Sequence, residues 1–133
     1  MPHFGCLLEF RSTAFPADSE DEELVNSETM YGHALASYIA GRLPERGLKV
    51  SNLVAEDWGW YCELENDGFR LWYGVCNSDE NSFLIQFGPD KPFIRRWFKK
   101  LDVSRQVTQM HDAVFAILSA CEEKLEQPKW IGG

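Results

Sequence analysis

Alternation marks the first element. From Phe4 to Arg11, Cys6, Leu8 and Phe10 alternate with Leu7, Glu9 and Arg11, the period of a strand with one drier face. Ser12 to Asn26 breaks the pattern with Pro16 and with acids at Asp18, Glu20, Asp21, Glu22 and Glu23. Such a run reads as a solvated loop or the first turn of a helix, where acids suit the helix dipole. The spacing then becomes helical. Tyr31, Leu35, Tyr38 and Ile39 form one stripe, predicting a helix from about Ser27 or Glu28 to Leu43, with Ser27 as N-cap. Pro44 and Gly47 end it. His33 lies opposite the stripe and is expected to face solvent.

Strand spacing returns after Leu48. Lys49 to Ala55 alternates weakly; Trp58 to Glu65 and Phe69 to Asn77 alternate well and flank Asp67-Gly68, which favours a two-residue type I′ hairpin turn. That turn sets Leu64 opposite Leu71, Cys62 opposite Tyr73 and Trp60 opposite Val75 on an apolar face. On the other face it sets Glu63 opposite Trp72 and Glu65 opposite Arg70. A three-residue turn would mix the faces, so the cleaner register is the expected one. Polar residues 77–81 form a turn, and Ser82 to Gly88 is a further strand with Phe83, Ile85 and Phe87 on one side. Residues 91–100 are expected to form a short helical turn. Val107, Met110, Val114, Ile117, Leu118, Cys121 and Leu125 predict a last helix from Ser104 to Glu126, ended by Pro128.

The predicted order is β-α-β-β-β-α. Consecutive strands on short turns imply an α+β two-layer sandwich: a mainly antiparallel sheet of four to five strands with two amphipathic helices on one face. At 133 residues the chain suits one domain spanning 1–133. Its 44% hydrophobic and 14% aromatic content supports a sizeable core and excludes a disordered chain.

Charge and cysteine usage narrow the partners. The net charge of −8 opposes generic binding to nucleic acid or anionic lipid and suits a basic partner surface, so nucleic acid and membrane are not the expected partners. No apolar run approaches a membrane span, and the residues from Met1 to Cys6 show no secretory signal, so the expected address is cytoplasmic. Cys6, Cys62, Cys76 and Cys121 are scattered, without CxxC or zinc-ligand spacing. They are expected to be reduced, and no metal or cofactor is expected.

The most distinctive string is Glu56-Asp57-Trp58-Gly59-Trp60. Carboxylates beside tryptophans suit sugar binding or glycoside hydrolysis, but neighbours on a strand point to opposite faces. Glu56 and Asp57 therefore cannot easily converge at the about 5–10 Å an acid/base pair needs. The same string also reads as a strand entry with tryptophans in the core. Residues 91–100 hold five cations and no acid; against the chain's 21 acids, the other eight cations leave a background of −13. Phe93, Trp97 and Phe98 interleave with Arg95, Arg96, Lys99 and Lys100, which suits either a core-capping amphipathic turn or a docking site. His111 falls about 65° from the centre of its helix stripe, a boundary position. The Gly132-Gly133 pair resembles the adenylated tail of ubiquitin-like sulfur carriers, but a strand leads into that tail and a helix is predicted here.

No catalytic motif is present in the sequence. The expected function is a non-enzymatic binding or interaction domain, for example an immunity or regulatory protein, that meets another protein or a small ligand with its sheet surface. Arg95, Arg96, Lys99 and Lys100 are expected to meet acidic surface in this chain, in a protein partner or across a homodimer. The alternative is a small-ligand-binding protein or enzyme with a pocket at Glu56, Asp57 and the tryptophans. Candidate binding residues are Glu56, Asp57, Trp58, Trp60, Tyr61, Trp72, Arg95 and Arg96.

Overall fold

The computed structural model describes residues 3–24, 27 and 29–132. It is α+β, with strands β1 (Cys6–Arg11), β2 (Val50–Glu56), β3 (Gly59–Leu64), β4 (Leu71–Asp79), β5 (Ser82–Gly88), β6 (Phe93–Arg96), β7 (Lys99–Asp102) and β8 (Lys129–Gly132). Helix α1 (His33–Arg42) lies between β1 and β2, and helix α2 (Ser104–Ser119) between β7 and β8. Six strands form one antiparallel sheet in the order β2-β3-β4-β5-β1-β8; β6 and β7 form a separate hairpin. The sheet is larger than the four to five strands predicted.

The central register is the predicted one. Trp60 pairs with Val75, Cys62 with Tyr73, Glu63 with Trp72 and Leu64 with Leu71. Buried inward residues of β3, β4 and β5 (Trp60, Cys62 and Leu64; Leu71, Tyr73 and Val75; Phe83, Ile85 and Phe87) alternate, in β4 as far as Cys76, with outward positions that are half-buried except at Gly59, Gly74, Ser82 and Gly88, which are buried. Tyr73 and Phe87 are cross-strand neighbours. The Tyr73 hydroxyl donates to the Ala36 carbonyl of α1 at 2.9 Å, and Phe87 packs edge-on against His111 of α2. Both helices therefore cover the same sheet face, and the core lies between them and the strands.

The turn between β3 and β4 differs from prediction. The ladder stops at Leu64 and Leu71, and in the loop between them only Gly68 takes a positive φ (94°), so a type I′ turn is not formed. The charge pairing shifts with it: Arg70 lies 3.9 Å from Glu63, and Glu65 lies 4.0 Å from Lys49.

Helix α1 starts later than predicted because its cap comes from far upstream. Ser27 sits in a turn before the helix, and Glu28 lies outside the described residues. The acidic run is a 3₁₀ turn (Ser19–Glu23) closed by a capping box between Asp18 and Asp21. Asp21 is buried at 3% exposure. Its Oδ1 accepts from the backbone N–H of Gly32 and His33, each at 3.0 Å, and from the Trp60 indole at 2.7 Å. Its Oδ2 accepts from the Asp18 N–H at 2.9 Å. One carboxylate thus caps α1, closes the 3₁₀ turn and holds β3.

His33 is not solvent-facing. Its ring packs edge-on against Trp60 with centroids 4.6 Å apart, and Nδ1 lies 2.8 Å from Asp18 Oδ2. Burial alone would raise the Asp18 carboxyl; the bond and charge of His33, with the backbone N–H groups of Glu20 and Asp21, outweigh it and hold the group below its ordinary value.

The C-terminal third holds the other corrections. Residues 91–100 form part of the β6–β7 hairpin and not a helical turn. Helix α2 ends at Ser119, not Glu126, because the chain must return to the edge of β1: the Ser12 hydroxyl donates to the Glu123 carbonyl and the Leu125 N–H to Arg11. Leu125 is accordingly half exposed. The strand β8 follows, pairing Cys6 with Gly132 and Leu8 with Trp130. A strand therefore precedes Gly132, contrary to the expected helix, and Gly132 is itself held in the ladder; Gly133 lies outside the described residues. Trp130 joins His3, Phe4 and Phe87 around His111 and stacks on Phe115. His111 is 1% exposed, not a boundary residue, since β8 and the N-terminal segment close over it.

Candidate functional site

The residues that alternate with the core positions form the second face of the sheet, which no helix among the described residues covers. Three predicted site residues meet there. Trp58 and Trp72 have ring centroids 6.1 Å apart, and Tyr61 and Trp72 5.1 Å apart. All three are half-buried although only strands support them.

Two glycines explain how indoles lie so close to the backbone. A Cβ on Gly74 would overlap the Trp58 ring, and one on Gly88 would overlap the Trp72 ring. Gly88 is the cross-strand partner of Trp72, and Gly74 that of Tyr61. Each glycine leaves the floor on which a ring lies. Replacing Gly74 with alanine is expected to lift Trp58 off the sheet at a cost of about 1–3 kcal/mol, read as a lower urea midpoint with altered tryptophan fluorescence. An unchanged midpoint and spectrum would contradict this packing.

Polar groups border the aromatic patch. The Tyr61 hydroxyl donates to Glu63 Oε1 at 2.7 Å, and burial together with that carboxylate pushes the phenol up to about 12. Cys76 lies on this outer face, opposite Leu84. Burial raises its thiol, as burial pushes Cys62 up to about 11 on the inner face. Cys62 and Cys76 thus point to opposite faces of the sheet, and all four cysteines are free thiols.

The other predicted residues are not brought to this patch. Trp60 points inward to Asp21 and His33. Glu56 and Asp57 stand exposed at the β2–β3 turn, neither of them lining a cleft described among these residues. The larger cleft, about 470 Å³, lies on the helix side between Tyr38, Arg42, Arg46, Ile117 and Glu122. Arg95 and Arg96 lie on the β6–β7 hairpin, with the Arg96 guanidinium donating to the Gly68 carbonyl. Among the described residues no cluster of His, Cys, Asp and Glu is arranged to hold a metal. A scan of protein-family models and searches of curated proteins and solved structures returned no match.

Sequence reasoning missed two groups. Asp21 was counted only as part of a charge run, although the Asp-x-x-Asp spacing of Asp18 and Asp21 is itself a capping signal. Gly74 and Gly88 carry no signal of their own in the sequence beyond their strand parity, which places them on the outer face with Trp72.

Proposed function

We propose that this chain is a non-enzymatic binding domain that engages a protein partner through the uncovered face of its sheet. The observation that carries the reading is the pair of indoles laid on Gly74 and Gly88 beside Tyr61. Rigid Trp and Tyr side chains bury much area at low entropic cost, which is why they anchor interfaces. The −13 background outside residues 91–100 suits a partner with a basic surface. An immunity protein neutralising a basic toxin in the cytoplasm is one concrete version.

The test is affinity capture from extract of the cells that make the protein. Trp72→Ala and Tyr61→Ala should release the captured partner, whereas Arg46→Glu, in the helix-side cleft, should retain it. Each variant is first checked for an unchanged urea midpoint above the assay conditions. Retention by both outer-face variants with loss by the cleft variant would place the binding surface on the helices instead.

A further inference from the structure

We propose that the Phe93–Asp102 hairpin docks on an anionic lipid bilayer. Trp97 and Phe98 enter the interface while Arg95, Arg96, Lys99 and Lys100 meet the phosphates. This is independent of the sheet-face reading, since it uses different residues.

Three features of the hairpin are unfavourable for the chain alone. Trp97 is 89% exposed and Phe98 100% exposed, adjacent at the tip. Cations face cations across the strands, Arg95 opposite Lys100 and Arg96 opposite Lys99, an arrangement that destabilises a ladder. Among the described residues none of the four makes an ion pair. Trp97 also adopts a left-handed φ of 58°, a conformation costly for a bulky side chain. Ile94 and Leu101 pack the base of the hairpin against the core, and the Arg96 guanidinium reaches back to the Gly68 carbonyl.

The order of groups selects the occupant. The aromatics are outermost, with one cation pair a residue behind them and another pair two residues behind. A bilayer presents the same sequence of layers, an apolar boundary beneath a plane of phosphates. Alternation puts Arg96 and Lys99 on one face of the hairpin and Arg95 and Lys100 on the other. Cations around the whole girth suit a tip entering a plane, whereas a nucleic-acid strand needs a track along one side.

The expectation of no membrane partner averaged charge over the whole chain. From its base at Phe93 to Trp97 at the tip the hairpin reaches about 13 Å at strand spacing. That exceeds the screening length of about 8 Å at physiological salt, so the tip meets a planar surface before the acidic body is strongly repelled. The contact is peripheral: among the described residues no helix is long and apolar enough to cross a membrane.

The experiment is co-sedimentation of the full chain with vesicles of phosphatidylcholine alone and of phosphatidylcholine with phosphatidylserine. Binding is expected to the second and not the first, and to weaken with salt. Changing Arg95, Arg96, Lys99 and Lys100 to glutamine should lower affinity about a hundredfold or more. Trp97→Ser with Phe98→Ser should lower it about tenfold or more. Both sets should keep the wild-type circular dichroism and a urea midpoint well above the assay conditions. Absence of binding to phosphatidylserine vesicles, or unchanged binding by either set, would overturn the proposal. Tighter binding of single-stranded oligothymidylate than of vesicles would overturn it in favour of nucleic acid.

Discussion

Replacing Asp21 with alanine is expected to destabilise the chain by roughly 3–5 kcal/mol, the largest loss from any single acidic residue. The side chain accepts four hydrogen bonds, three from backbone N–H groups and one from the Trp60 indole. Its removal leaves those donors without a partner, and the Gly32 N–H and the indole are buried. Such a donor costs its desolvation, about 1–3 kcal/mol each before relaxation. Asp21→Asn should recover part of the loss. Its amide oxygen can still accept from the donors now on Oδ1, but its NH₂ group would face the Asp18 N–H. Urea unfolding measures both, and hydrogen exchange should quicken at Gly32 and His33. A loss below about 1 kcal/mol for Asp21→Ala would mean that water replaces the cap.

Acidification is expected to weaken the fold through His111. Burial lowers this imidazole to about 4, with the neighbouring His3 adding to the effect. An unfolded histidine titrates near 6.5. Between those values the unfolded chain binds a proton that the folded chain refuses, so stability falls as pH drops. The contribution is fully present above about pH 6.5 and is lost progressively toward pH 4. Its size is about 3 kcal/mol at most, from the separation of the two values. His111→Gln keeps an acceptor for the His3 N–H, which now donates to Nδ1 at 3.4 Å, and cannot charge. Urea midpoints of wild type and variant from pH 7 to 4.5 should converge as pH falls, carboxylate effects being common to both. Parallel curves would show that His111 does not govern the slope.

The strongest signals in the sequence were those set by a period of two. Leu64, Cys62 and Trp60 could face Leu71, Tyr73 and Val75 in only one register that kept an apolar face, and that register is the one formed. The same parity put Tyr61 and Trp72 on the outer face, so half of the candidate site was legible. What was not legible depends on contacts distant in sequence. The cap of α1 comes from Asp21, 11 positions before Gly32, whereas cap reasoning looked next to the helix. Helix spacing ran past Ser119 by coincidence through Cys121 and Leu125, and only the edge of β1 explains why the chain leaves the helix and returns as β8. The run Arg95-Arg96-Trp97-Phe98-Lys99-Lys100 has no alternation, because both faces of that hairpin are exposed beyond Ile94 and Leu101. Its strand character therefore left no periodic trace.

Burial of the outer face by a partner can be read from the chain's own thiols. Cys76 is half-buried on that face opposite Leu84, while Cys6 shares the parity of the inward Leu8 and pairs with Gly132 at the far side of the sheet. Maleimide labelling followed by mass spectrometry, with and without the captured partner, compares the two in one sample. The partner should slow labelling of Cys76 and leave Cys6 unchanged. Equal labelling of Cys76 in the free and bound protein would contradict it.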